Sequence, residues 1–163
     1  MACRITELVL DCRNPELLAD FWCRVLGFAV LQTEEDGSIE IGSAGTGPDD
    51  PGLTLVLSPS TDPKRAKLPL HFDVNAVDRG QDEELRRLFE LGARTADVGQ
   101  TGEESWHVLA DPEGNEFCLL RRTVRPASLP AEIVSGVCVV IMSIRRDRVG
   151  RCLAPPRDRR LTR

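Results

Sequence analysis

Apolar positions along the first 120 residues change period repeatedly, and the changes mark out the elements. Ile5-Thr6-Glu7-Leu8-Val9-Leu10 is a short run of β-formers. Leu17, Leu18, Phe21, Trp22, Val25 and Leu26 then recur at helical spacing. Asn14 stands as N-cap, Pro15 takes the first helical position, and Gly27 closes the helix. Strands are predicted at 28–32, 38–42 and 53–57, with the Gly/Pro/Asp-rich loop 42–52 between the last two. Residues 58–67, with two prolines and three cations, read as a linker.

The same order then returns. Residues 68–74 are strand-like, with His71 inside. Residues 78–91 form a helix with Leu85, Leu88, Phe89 and Leu91 on one side and Gln81, Asp82, Glu83 and Glu84 toward water, closed by Gly92. Strands follow at 94–98, 106–110 and 116–120. The last two form a hairpin around Asp111-Pro112-Glu113-Gly114-Asn115. There Pro112 presets φ, Asp111 can accept from the backbone two residues on, and Gly114 tolerates positive φ. The helix-closing glycines, Gly27 and Gly92, are 65 residues apart, and Glu7 and His71, each in the first strand of its half, are 64 apart. Two βαβββ units of equal length point to an internal duplication, and to an α+β fold.

Composition narrows the function. Residues 1–123 carry 12 Lys and Arg against 23 Asp and Glu, a net charge of −11, whereas residues 124–163 carry 9 Arg against 3 acids, a net of +6. An acidic body repels phosphate, so nucleic acid is not its expected partner. The six cysteines, at 3, 12, 23, 118, 138 and 152, form no CxxC pair, and Met1-Ala2-Cys3-Arg4 leads straight toward the first strand. Reduced thiols and a cytoplasmic protein without a membrane span are expected. The run 133–144 is apolar and β-branched but too short to span a bilayer. It reads as an extra edge strand or as an arm exchanged between protomers, within a basic C-terminal extension, 124–163, whose Arg/Pro-rich end, 145–163, is expected to be disordered; the extension follows a domain of residues 1–123.

The ordered motifs resemble the vicinal oxygen chelate superfamily, which includes glyoxalase I, bleomycin-resistance proteins and extradiol dioxygenases, and its glyoxalase-like domain group in particular. They are Leu8-Val9-Leu10-Asp11, Leu18-Ala19-Asp20-Phe21-Trp22 and Leu26-Gly27 in module one (about 4–58). Module two (about 68–122) contributes Leu70-His71-Phe72-Asp73-Val74, Leu91-Gly92-Ala93-Arg94 and Leu109-Ala110-Asp111-Pro112-Glu113-Gly114-Asn115-Glu116-Phe117-Cys118-Leu119. The resemblance implies a curved mixed sheet around a cleft, a small-molecule ligand and a homodimer. It places the superfamily's metal-ligand positions on Glu7, His71, Val56 and Cys118. Val56 cannot ligate. Glu7, His71 and Cys118 remain as three ligands with an open position, and the thiolate favours zinc.

Two readings follow. In the first, the chain is a lyase or isomerase acting on a carbonyl-containing metabolite, with Glu7 as general base and His71 as ligand or electrophile. In the second, a metal-free cleft binds and sequesters a drug-like molecule without chemistry, as bleomycin-resistance proteins do. Trp106, opening a strand beside the cleft, and Cys118 are the expected substrate contacts in either case. His107 alternates with Trp106 and should face away. Trp22 is expected in the core, and Asp111, Glu113 and Glu116 as structural acids.

Overall fold

The computed structural model describes residues 2–44 and 52–124, and in it each half of the sequence folds as strand, helix and three strands. The first unit is β1 (Glu7–Cys12), α1 (Pro15–Leu26), β2 (Phe28–Thr33), β3 (Ile39–Ser43) and β4 (Thr54–Pro59). The second is β5 (Phe72–Val77), α2 (Gln81–Leu91), β6 (Arg94–Thr95), β7 (His107–Ala110) and β8 (Glu116–Val124). The two four-stranded sheets share one topology, β1-β4-β3-β2 and β5-β8-β7-β6. In each, the first strand runs parallel to the last and the remaining pairs are antiparallel. The α+β class and the paired βαβββ modules are those the sequence predicts. The run 133–144, with Cys138 and Cys152, lies outside the described residues.

Local chemistry sets the helix ends. The Asn14 side chain accepts from the Leu17 backbone N–H at 3.1 Å, and Gly27 closes α1 at φ 70°. The second helix starts at Gln81 rather than at the expected residue 78, because Asp78 sits at φ 65°, a left-handed conformation that a right-handed helix cannot include. Glu84, expected to face water, is instead buried. It pairs with Arg87 and Arg79, and Arg87 also donates to the backbone oxygens of Arg24 and Val25 at the end of α1. A guanidinium at the negative end of the helix dipole ties α2 to α1. Phe89, expected on the apolar side, is exposed, and Leu88 is the fully buried residue of α2. Strand β5 begins at Phe72, later than expected; Pro69 lacks the N–H that a ladder needs.

The core crosses from one half to the other. Trp22 of α1 is 1% exposed and packs edge-on against Phe72 and Phe117 of the second unit, with ring centroids 5.3 and 5.2 Å away. Its indole N–H donates to Asp111 Oδ2 at 3.3 Å. Asp111, 1% exposed, also accepts from the backbone N–H groups of Glu113 and Asn115 and from the Asn115 amide, at 3.0, 2.9 and 3.0 Å. Burial pushes its carboxyl above the ordinary range, and the four donors offset that only in part. The same turn reaches back to module one. The Glu113 carboxylate accepts from the backbone N–H groups of Arg13 and Asn14 at 2.9 and 2.6 Å, beside the start of α1.

Asp111→Asn turns one side-chain oxygen into a donor aimed at other donors. It is expected to cost about 2–4 kcal/mol of stability in urea denaturation, with the secondary structure retained. A loss within the error of the measurement would mean that the turn does not depend on this acceptor.

Candidate functional site

Strand alternation builds the site on the second unit. Phe117 and Leu119 turn into the core with Phe72 and Val74 packed against it, so His71, Asp73 and Cys118 emerge on the other face. Asp73 lies directly opposite Cys118 in the β5–β8 ladder. His71 Nε2 is 3.3 Å from Asp73 Oδ1, and the Cys118 thiol stands beside both. One donor atom from each of the three lies within 4.8 Å of the others. His71 and Asp73 are each nearly half exposed, and Cys118 is partly buried. Burial first, and then the Asp73 charge, push the Cys118 thiol up. An imidazole nitrogen, a carboxylate and a sulfur suit a divalent cation, and zinc in particular, with an outer position left for a small molecule.

The same face of module one has lost this chemistry. Val9 lies opposite Val56 there, as Asp73 lies opposite Cys118. Glu7 stands two residues before Val9, as His71 stands two before Asp73. Glu7 is exposed and is not part of the cluster, so two of the three expected ligands, His71 and Cys118, come together and the third does not. Asp73 takes that place, and the sequence reasoning missed it. The signal was present: a residue two positions from His71 in a strand shares its face.

Beta1 and β5 are the outermost strands of their sheets, and between them runs a seam with two cavities. One, of about 350 Å³, reaches from Leu8 and Asp11 to Glu116 under the linker. The other, of about 380 Å³, reaches from Leu8 to Leu26, Leu53 and Thr54. His71 and Trp22 line both; Glu7, Cys118 and Trp106 line neither. Trp106 is exposed, just before β7, and His107 faces the start of α2 in a shallow polar cavity. Glu116, expected only as a structural acid, lines the seam with Oε1 2.6 Å from Lys64 Nζ. Burial is the largest single influence and would raise its carboxyl, but the hydrogen bond and charge of Lys64, together with backbone N–H groups of Glu116 and Leu68, outweigh it and hold the carboxyl below the ordinary range.

Paired βαβββ modules with donor side chains on the open face of the sheet define a member of the vicinal oxygen chelate superfamily. The chain belongs to the glyoxalase-like domain family, which matches residues 7–120. Among solved structures it is similar to the fosfomycin resistance protein FosX of Listeria monocytogenes, at 16% identity and TM-score 0.55 over 76% of this chain and 94% of that one. A FosX variant complexed with Mn(II) and 1S,2S-dihydroxypropylphosphonic acid matches at 14% identity and TM-score 0.54, over 74% and 90%. The trypanothione-dependent glyoxalase I of Leishmania major matches at 16% and 0.50, over 74% and 87%. No curated protein sequence matches the chain. No helix among the described residues is long and apolar enough to cross a membrane.

Lys64→Met leaves the burial of Glu116 without its counter-charge, so the Glu116 carboxyl should titrate at higher pH. A carbon-detected NMR titration of its side chain reads this directly. In the wild type the depressed pKa contributes stability above the unfolded value, and that contribution is lost as pH falls through the folded one. An unchanged titration would show that Lys64 does not set this charge.

Proposed function

We propose that the protein is a metal-dependent enzyme of glyoxalase type, a lyase or isomerase acting on a carbonyl-containing metabolite, with His71, Asp73 and Cys118 as ligands. The observation that carries this is the convergence of three different donor atoms within 4.8 Å on the open face of one sheet. A bound divalent metal supplies Lewis-acid polarisation of a substrate carbonyl and holds neighbouring oxygens. Asp73 orients His71 and completes the ligand set. Glu7 remains outside that set as the proposed general base, on the strand whose next residue, Leu8, lines the seam with His71. Trp106, two residues before Val108, which lies opposite Cys118, is the proposed substrate contact. The Mn(II) complex of FosX supports a metal in this fold. A homodimer and a cytoplasmic location belong to the same proposal.

One observation favours the second reading, sequestration of a small molecule without chemistry. Val9 and Val56 leave module one with no ligands where module two has Asp73 and Cys118.

Purified protein should bind one equivalent of zinc, and His71→Ala or Cys118→Ser should each lower the affinity on the order of 100-fold. Zinc-loaded protein in D2O should then exchange the α-hydrogen of an α-hydroxycarbonyl compound, read by proton NMR, and Glu7→Gln should slow that exchange while leaving zinc binding intact. Zinc binding that ignores both ligand substitutions would overturn the ligand set. Ligand binding without exchange would leave sequestration as the function.

A further inference from the structure

Strand β5 is an edge of its sheet, and the seam cavity of about 380 Å³ lies along its free side. The cavity touches five consecutive residues there, Leu70 to Val74. Alternation sends Phe72 and Val74 toward the core and His71 and Asp73 to the open face. A cavity that touches both sets runs past the free edge of the strand, from the core side to the open face. Cys118 belongs to β8, across the ladder from Asp73, and does not line it.

The chemistry of the wall is uneven. Among the described residues, His71 and Asp73 are its only titratable side chains, and both belong to the donor cluster. The rest is almost wholly aliphatic and aromatic, with Trp22 and Phe28 on the side of α1. Leu26 and Leu53, also on the wall, are 38% and 49% exposed and so form its rim. A small molecule whose oxygens engage the cluster therefore has apolar surface waiting directly beside it. A charged group placed there would lose its hydration with no partner in return, and an anion would also face Asp73.

We propose that this cavity takes the apolar substituent of the substrate, an α-hydroxycarbonyl compound whose carbonyl carries an uncharged aryl or branched alkyl group. The two oxygens lie at the cluster, and the substituent passes the edge of β5 to lie between Trp22 and Leu53. A volume of about 380 Å³ falls within the range of small-molecule pockets. It admits roughly a dozen water-sized atoms at about 30 Å³ each, so a phenylalkyl group fits. This names the substrate class of the enzymatic reading above and rests on that reading for the reaction. Binding of the apolar group itself needs no metal.

Ligand-observed NMR titrations of the full chain test this with 1-hydroxy-4-phenylbutan-2-one as probe. Hydroxyacetone keeps both oxygens without the phenyl arm, and the para-carboxylate of the probe adds a charge at its far end. The probe should bind at least tenfold more tightly than either, with zinc bound and again after chelator treatment. Leu53→Asp and Leu26→Asp, at positions exposed enough to leave folding intact, should each cut that advantage at least fivefold while zinc affinity and hydroxyacetone binding stay unchanged. Leu53→Met should keep it. Equal affinity for probe and hydroxyacetone, or an advantage that survives both Asp substitutions, would overturn the proposal. A second copy seated on the cavity would also overturn it, appearing in analytical ultracentrifugation as a dimer that Leu53→Asp dissociates, with no phenyl advantage. Exchange of the hydroxyacetone α-hydrogen with no phenyl advantage would leave the enzyme reading standing without this one. A phenyl advantage in protein that binds no zinc would do the reverse.

Discussion

The structure depends on one aromatic ring crossing from one half of the duplication into the other. Trp22 belongs to α1, yet it is buried against Phe72 and Phe117 of the second sheet, and its indole N–H ends on Asp111 in that unit's hairpin turn. Full burial of an indole removes some 150–250 Å² from water, worth roughly 4–6 kcal/mol at about 25 cal/mol per Å². The polar tip adds direction that apolar packing lacks, since only one placement of the helix brings N–H to Asp111. Glu113, two residues on, holds the backbone at the start of the same helix. The hairpin of one module thus acts as a clamp on the helix of the other. With the halves joined in this way, β1 and β5 remain sheet edges, and the space between them holds two cavities rather than a ladder.

Much of the fold could be read from the chain because its signals are local. Asn14, Pro15 and Gly27 bracket α1 where their backbone preferences predict, and Gly114 takes the positive φ that the turn requires. The errors fall where tertiary context wins. Asp78 occupies a left-handed conformation, which delays α2 by a turn, and periodicity alone gives no hint of it. Glu84 looks like one more acid on a wet face, and only the arrival of Arg87 and the end of α1 makes it a buried partner.

The site divides along the same line. Alternation within strands is a sequence property, so the face shared by His71 and Cys118 was legible, and Asp73 could have been added by the same rule. The relation between Glu7 and His71 was not. Equivalent positions in duplicated units match in register, but their distance is set by how the units dock, and here they do not join one cluster. Val9 and Val56 show that the duplicated faces have diverged, one keeping donors and the other becoming apolar. The role of Glu116 was hidden for a related reason: an acid beside a turn reads as structural until the linker is seen to fold over it.

Trp22 serves the molecule twice, as the bolt between halves and as a wall of both seam cavities. Those two duties restrict how such a protein can change its specificity. Redrawing the bottom of the pocket would loosen the hinge on which the halves are hung, so drift toward new ligands is steered to the rims, to the linker on one side and the approach to β4 on the other. Descendants of this scaffold should therefore keep the ring and vary the lips around it.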